Sequence, residues 1–79
     1  MDRIEAGMDV VFTLGEERIA ARLENYSDGG VRIVYSGAPL EEDIVLGVDI
    51  AGLEIHGHAR AIWSKQVSGS TFTSGLKLI

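Results

Sequence analysis

Apolar and polar residues alternate along most of this chain with a period of two, the pattern of strands that bury one face. Asp9–Leu14 reads as a first strand, with Val10, Phe12 and Leu14 on one face. Gly15-Glu16 is a tight-turn sequence. Glu17–Glu24 follows as a second strand, with Ile19, Ala21 and Leu23 on one face and Arg18, Ala20, Arg22 and Glu24 on the other. Val31–Tyr35 is a third, pointing Val31, Ile33 and Tyr35 inward, and Ser36-Gly37-Ala38-Pro39 is a loop by composition. The clearest alternation is Ile44–Ile50, where Ile44, Leu46, Val48 and Ile50 line one face. Ala51-Gly52 turns the chain into Leu53–Trp63, the longest expected strand. Its apolar or small face is Leu53, Ile55, Gly57, Ala59, Ala61 and Trp63, and Gly57 permits a bend or bulge. Lys65–Ser70 is a polar loop, and Thr71–Leu78 closes the pattern with Phe72, Leu76 and Leu78 on one side.

Short strands joined by short turns predict an antiparallel barrel or sandwich. The barrel leaves no exposed edge, which suits strands that carry few charges. The expected architecture is all-β, a six-stranded antiparallel barrel in a single domain over residues 1–79, with 1–8 as an N-terminal arm and 9–79 as the barrel. A helix over Glu16–Glu24 would have only Ile19, Ala20 and Leu23 as its apolar stripe, a weaker pattern than the alternation.

Composition narrows the function classes. A chain of 79 residues is one domain at most, and it has no cysteine for a disulfide or a thiolate zinc site. The net charge of −5 argues against a dedicated DNA or RNA binder, which needs a basic face, but leaves room for a small anionic ligand held by a few local arginines. Glu16-Glu17 and Glu41-Glu42-Asp43 lie beside turn signals and read as solvated loops. No apolar run approaches the roughly 18 residues of a membrane span. Asp2, Arg3 and Glu5 interrupt any signal-peptide core. A soluble cytoplasmic module without membrane insertion is expected.

Candidate chemistry is sparse. Asn25-Tyr26-Ser27-Asp28-Gly29-Gly30 lies between the second and third strands. Read locally it is a hairpin loop, since Asn and Ser side chains bond nearby backbone and glycines adopt positive φ. Tyr26 within it reads as a hydrophobic cover or as a stacking ring. Arg18 and Arg22 share a face four residues apart and read as a solvated face, with Arg22 near enough to the loop to help hold a ligand. His56 and His58 point the same way on a strand. Two imidazoles there are a metal site only with a third donor, and Glu54 and Arg60 share their face, so the reading is a polar strand and no metal. Trp63 reads as a core or barrel-mouth residue, or as a platform for a base. No histidine stands beside a serine in an elbow-like context, so no catalytic residue, no cofactor and no enzyme is expected.

The spacing N-x-S-x-x-G is matched by Asn25, Ser27 and Gly30. It precedes Val31-Arg32-Ile33, and downstream come Ala38-Pro39-Leu40, Gly57-His58-Ala59-Arg60-Ala61-Ile62-Trp63 and the closing Gly75-Leu76-Lys77-Leu78. In order and spacing the chain resembles a PilZ domain over nearly its whole length. That resemblance implies a six-stranded antiparallel barrel that binds the bacterial second messenger cyclic di-GMP and passes the signal to a protein partner. In the family an R-x-x-x-R arm before the first strand and a D/N-x-S-x-x-G motif hold the nucleotide. Guanidinium groups suit phosphates and the O6 and N7 acceptors of guanine. Carried over, Asn25 bonds a guanine edge, Ser27 donates to the ligand or fixes the loop, and Gly30 keeps the turn open. Arg3, seven residues before Val10, stands where the arm's second arginine would be. The first would fall before Met1, whether Met1 is a natural start or a boundary. The expected nucleotide-binding set is Arg3, Asn25, Ser27 and Gly30 by the resemblance, with Arg22, which takes no family role, added for its nearness to the loop. The incomplete arm carries an alternative, a PilZ-like adaptor that binds no nucleotide and acts by protein–protein contact.

Overall fold

A computed structural model describes residues 4–27 and 29–79, with side chains at 7–26 and 29–79. The strands are β1 (Ile4–Leu14), β2 (Glu17–Ser27), β3 (Gly30–Ser36), β4 (Val45–Ile50), β5 (Ile55–Ser68) and β6 (Thr71–Leu78), with a 3-10 turn at Ala51–Leu53 between β4 and β5. They close into an antiparallel barrel in the order β1-β2-β3-β6-β5-β4. The predicted all-β, six-stranded barrel is therefore the fold.

The alternation works as read for most positions. Val10, Phe12, Ala21, Leu23, Val31, Ile33, Leu46, Val48, Ile50, Ala59, Ala61 and Leu76 fill the interior. Phe12, Leu23, Ile33 and Ile50 are fully buried. Tyr35 packs its ring edge-on against Phe12 at 5.2 Å between centroids. Its hydroxyl joins a polar cluster inside the barrel, 3.2 Å from Ser74 Oγ and 3.4 Å from Ser64 Oγ, with the two serine oxygens 2.9 Å apart. The Leu40 amide donates to Ser64 Oγ at 3.3 Å. Buried hydroxyls demand partners, and this set supplies them to one another while pinning the β3–β4 loop to β5.

The barrel closes on its shortest ladder. β1 meets β4 only through Val11 with Asp49, Phe12 with Val48 and Thr13 with Gly47. By contrast β3 and β6 pair continuously from Gly30–Lys77 to Ser36–Thr71.

Several expectations change. Residues 4–8, expected as an arm, form the first part of β1, with Ile4 opposite Tyr26 and Glu5 opposite Asn25. Asn25, Tyr26 and Ser27, expected in a hairpin loop, extend β2 instead, because Asn25 pairs with Arg32, Tyr26 with Val31 and Ser27 with Gly30. The positive φ falls on Gly29, at 80°, which carries the turn. Gly30 sits inside the ladder between Ser27 and Lys77. Leu53 leaves the fifth strand for the 3-10 turn. The ladder of β5 with β4 runs past Gly57 without a break. β5 then continues through the expected Lys65–Ser70 loop to Ser68, because Lys65 and Gln66 find partners in Thr73 and Phe72.

Candidate functional site

Two bulges build the site by moving side chains to the outer face. In β2 the pairing steps from Leu23–Ile33 to Asn25–Arg32, so Glu24 and Asn25 together oppose one residue of β3. Strict alternation would send Asn25 inward with Leu23. The extra residue resets the phase and turns Asn25 to the surface beside Arg32, while Tyr26 packs partly buried on the core. In β5 the pairing steps from Ala61–Leu76 to Trp63–Gly75, with Ile62 as the extra residue. Ile62 and Trp63 are consequently 41% and 42% exposed. Trp63 thus does not belong to the inward face expected for it.

The register then lines up two rows of outer-face positions. Asn25, Arg32, Gly75 and Trp63 form one row across β2, β3, β6 and β5. Gly30, Lys77 and Arg60 form the next, with Ser27 at the register position opposite Gly30. Each row crosses three gaps of about 4.8 Å, so it is roughly 14 Å long. A surface groove of about 390 Å³ lies over the first row and over Gly30 and Lys77 of the second, bounded by Asn25 and Gly30 at one side and by Ile62 and Trp63 at the other. Small-molecule sites run from roughly 300 to 1,000 Å³.

Gly75 forms part of the groove floor, and the Trp63 indole lies directly on it. A Cβ at Gly75 would stand 2.5 Å from Trp63 Cε2, 3.0 Å from Cδ1 and closer still to Nε1. Only a residue without a side chain lets the ring settle there. The result is a flat, half-exposed aromatic surface held on a strand, which limits its rotamer freedom.

The electrostatics of the groove oppose those of the chain. The protein is acidic overall, yet Arg32 and Lys77 line the groove and Arg60 faces Lys77 directly across β5 and β6. Like charges placed opposite each other in a sheet are mildly destabilising, so this pair raises the local potential at a cost in stability. Arg32 Nε lies 3.1 Å from Glu24 Oε1. The same oxygen accepts from Thr73 Oγ1 at 3.1 Å. The groove therefore offers cations, an amide, a glycine-lined backbone and an aromatic face, a set that suits an anionic ligand with a flat ring.

The residues singled out from sequence fall as follows. Asn25 and Gly30 both line this groove. Ser27 stands opposite Gly30 in the ladder, and its side chain lies outside the described residues, as does Arg3. Arg22 lies away from the groove, with a terminal nitrogen donating to the Gly7 carbonyl at 3.2 Å, in a separate concavity with Asp9 and Arg18. His56 Nδ1 is 2.8 Å from Asp49 Oδ1 on the exposed face. Among the described residues no group of three or more His, Cys, Asp or Glu side chains is placed to hold a metal ion. Among the described residues no helix is long and apolar enough to cross a membrane.

Arg32, Ile62, Gly75 and Lys77 line the groove but received no role from sequence. Part of their signal was present. With Val31 and Ile33 inward, Arg32 points out, and with Leu76 and Leu78 inward, so do Gly75 and Lys77. What the alternation could not supply was that β3 and β6 are neighbours.

No protein-family model, curated protein or solved structure matches the chain.

Proposed function

We propose that this chain is a PilZ-like bacterial regulatory module whose outer-face groove binds cyclic di-GMP and hands the signal to a protein partner in the cytoplasm. The observation that carries the reading is the meeting of Asn25 and Gly30, from N-x-S-x-x-G, with Arg32, Lys77 and Trp63 in one groove. In this reading Arg32 and Lys77 take phosphate oxygens, Arg32 as a planar fork and Lys77 as a point charge. Asn25 bonds a guanine edge, and the Trp63 face stacks on a base. The module works by binding and carries out no reaction. The bound ligand changes the surface that a partner meets.

Calorimetric titration with cyclic di-GMP tests this directly. Saturable binding is expected, and Trp63→Ala should weaken it by about 5- to 150-fold, the range of one base–aromatic stack. Asn25→Ala should also weaken it. No heat at high micromolar protein would sink the proposal.

A second reading is an adaptor that binds no nucleotide. It is favoured by the two guanidinium groups already engaged within the protein, Arg22 on Gly7 and Arg32 on Glu24. Val45, Ile62 and Val67 are 48%, 41% and 59% exposed, which gives the outer face apolar contact area. Under it the titration stays silent, and Ile62→Ser disrupts partner binding.

A further inference from the structure

Glu24 is the one acidic side chain that reaches a cation of the groove among the described ion pairs. The β2 bulge puts it there, by placing Glu24 and Asn25 together against β3. Its carboxylate is anchored independently of Arg32, because Thr73 Oγ1 lies 3.1 Å from Glu24 Oε1 and 3.0 Å from the Ile33 carbonyl oxygen. Thr73 is largely buried and fixed in the β6 ladder, so the hydroxyl is a stationary partner that shares its single proton between these two acceptors. Arg32, in contrast, is a long side chain on the surface. Its side chain is 47% exposed and that of Glu24 is 38% exposed, so the ion pair is wet and weak. An ion pair of that kind yields to a phosphodiester, which offers two oxygens to the guanidinium fork.

We infer that Glu24 is an internal competitor for Arg32: it holds the guanidinium in the empty groove and gives it up to an anionic ligand, so the carboxylate sets the groove's affinity. This rests on reading the groove as the anion site. The exchange is one ion pair for another, with Glu24 remaining on Thr73 as Arg32 turns to the ligand. The acid thereby tunes the groove to strong, multiply charged anions, because a weak or singly contacting one does not displace it. Glu24 touches no ligand in this scheme. It is a positioning residue, acting through Arg32.

The test uses the whole chain, its Glu24→Gln and Arg32→Ala variants and the double variant. Each is titrated with cyclic di-GMP and, separately, with inorganic pyrophosphate. Trp63, the only tryptophan, reports through its fluorescence. Gln has the size of Glu and the site is half-exposed, so the fold is expected to persist, and circular dichroism verifies it. Glu24→Gln should bind both probes about two- to fivefold more tightly, the scale of one exposed ion pair. The gain should vanish in the Arg32→Ala background. Equal or weaker binding by Glu24→Gln overturns the competitor role, and leaves the groove reading standing if the unaltered chain binds cyclic di-GMP. A gain that persists without Arg32 also overturns it, since Glu24 would then act as bulk charge. A gain for pyrophosphate with no nucleotide binding keeps the role of Glu24 and removes the nucleotide reading. Silence of every variant toward both probes overturns both.

Discussion

Replacing Gly75 with alanine isolates the contact that shapes the groove. The backbone at Gly75 is ordinary strand, so alanine is allowed there, and the nearest obstacle is the indole of Trp63. A Cβ 2.5 Å from Cε2 forces the ring off the strand, because neither backbone can retreat within a paired ladder. Trp63 is 42% exposed, so more than half of its surface is covered. Lifting the ring re-exposes roughly 50–100 Å² of a side chain that buries 150–250 Å² when fully enclosed. At about 25 cal/mol per Å² that costs about 1–2.5 kcal/mol. Alanine in a strand recovers about 0.5–1 kcal/mol relative to glycine. The net expectation is a loss of up to about 2 kcal/mol, read as a lower urea midpoint, together with red-shifted Trp63 emission and easier acrylamide quenching. In a Trp63→Ala background the sign should reverse, since only the backbone gain of about 0.5–1 kcal/mol is left. Circular dichroism follows unfolding there, in the absence of the fluorophore. An unchanged midpoint and unchanged emission in Gly75→Ala would refute the reasoning, as would the same destabilisation with and without Trp63.

Other outcomes follow from the same geometry. Ser64→Ala strips the Leu40 amide and two buried hydroxyls of a shared partner, so a loss of about 1–3 kcal/mol is expected, with faster hydrogen exchange at the Leu40 amide. Ile33→Val removes one methylene from a fully buried site and should lower stability by about 0.5–1.5 kcal/mol in urea unfolding, without changing the m-value. Arg32→Ala separates stability from binding: its exposed ion pair contributes at most about 1 kcal/mol to folding, so the urea midpoint should barely move while titration of the groove weakens about tenfold or more.

The fold was legible because period-two alternation is a direct record of which face each strand buries. Val31, Ile33, Leu46, Val48 and Ile50 all lie where that rule puts them. The site was legible only in part, because it depends on breaks in the rule. Asn25 and Trp63 each follow a stretch of clean alternation and each is thrown to the opposite face by one inserted residue. A bulge has no strong local signature, and glycine at position 57, the place expected to bend, is regularly paired. Chain order hid the rest. Arg32 and Lys77 are distant in sequence and meet because β6 inserts beside β3. Arg22 shows the converse, since closeness in sequence to Asn25 did not bring its guanidinium to the groove.

The three residue pairs that join β1 to β4 make the barrel a ring with one thin link. That link lies across the ring from the strands that carry the groove, β2, β3, β6 and β5. Breathing at this point opens the ring without separating any of those four strands. Amides of Val11 and Thr13 that exchange through such local opening report a smaller free energy than the global one. A ligand bound in the groove as proposed would hold the opened ring as well as the closed one, so it would raise the free energy of complete unfolding and leave this opening alone. Protection gained on binding should therefore appear in the ladders of β3 with β6 and pass over the link between β1 and β4. On the proposed reading the molecule has one side that a ligand would stiffen and another that would stay free to part.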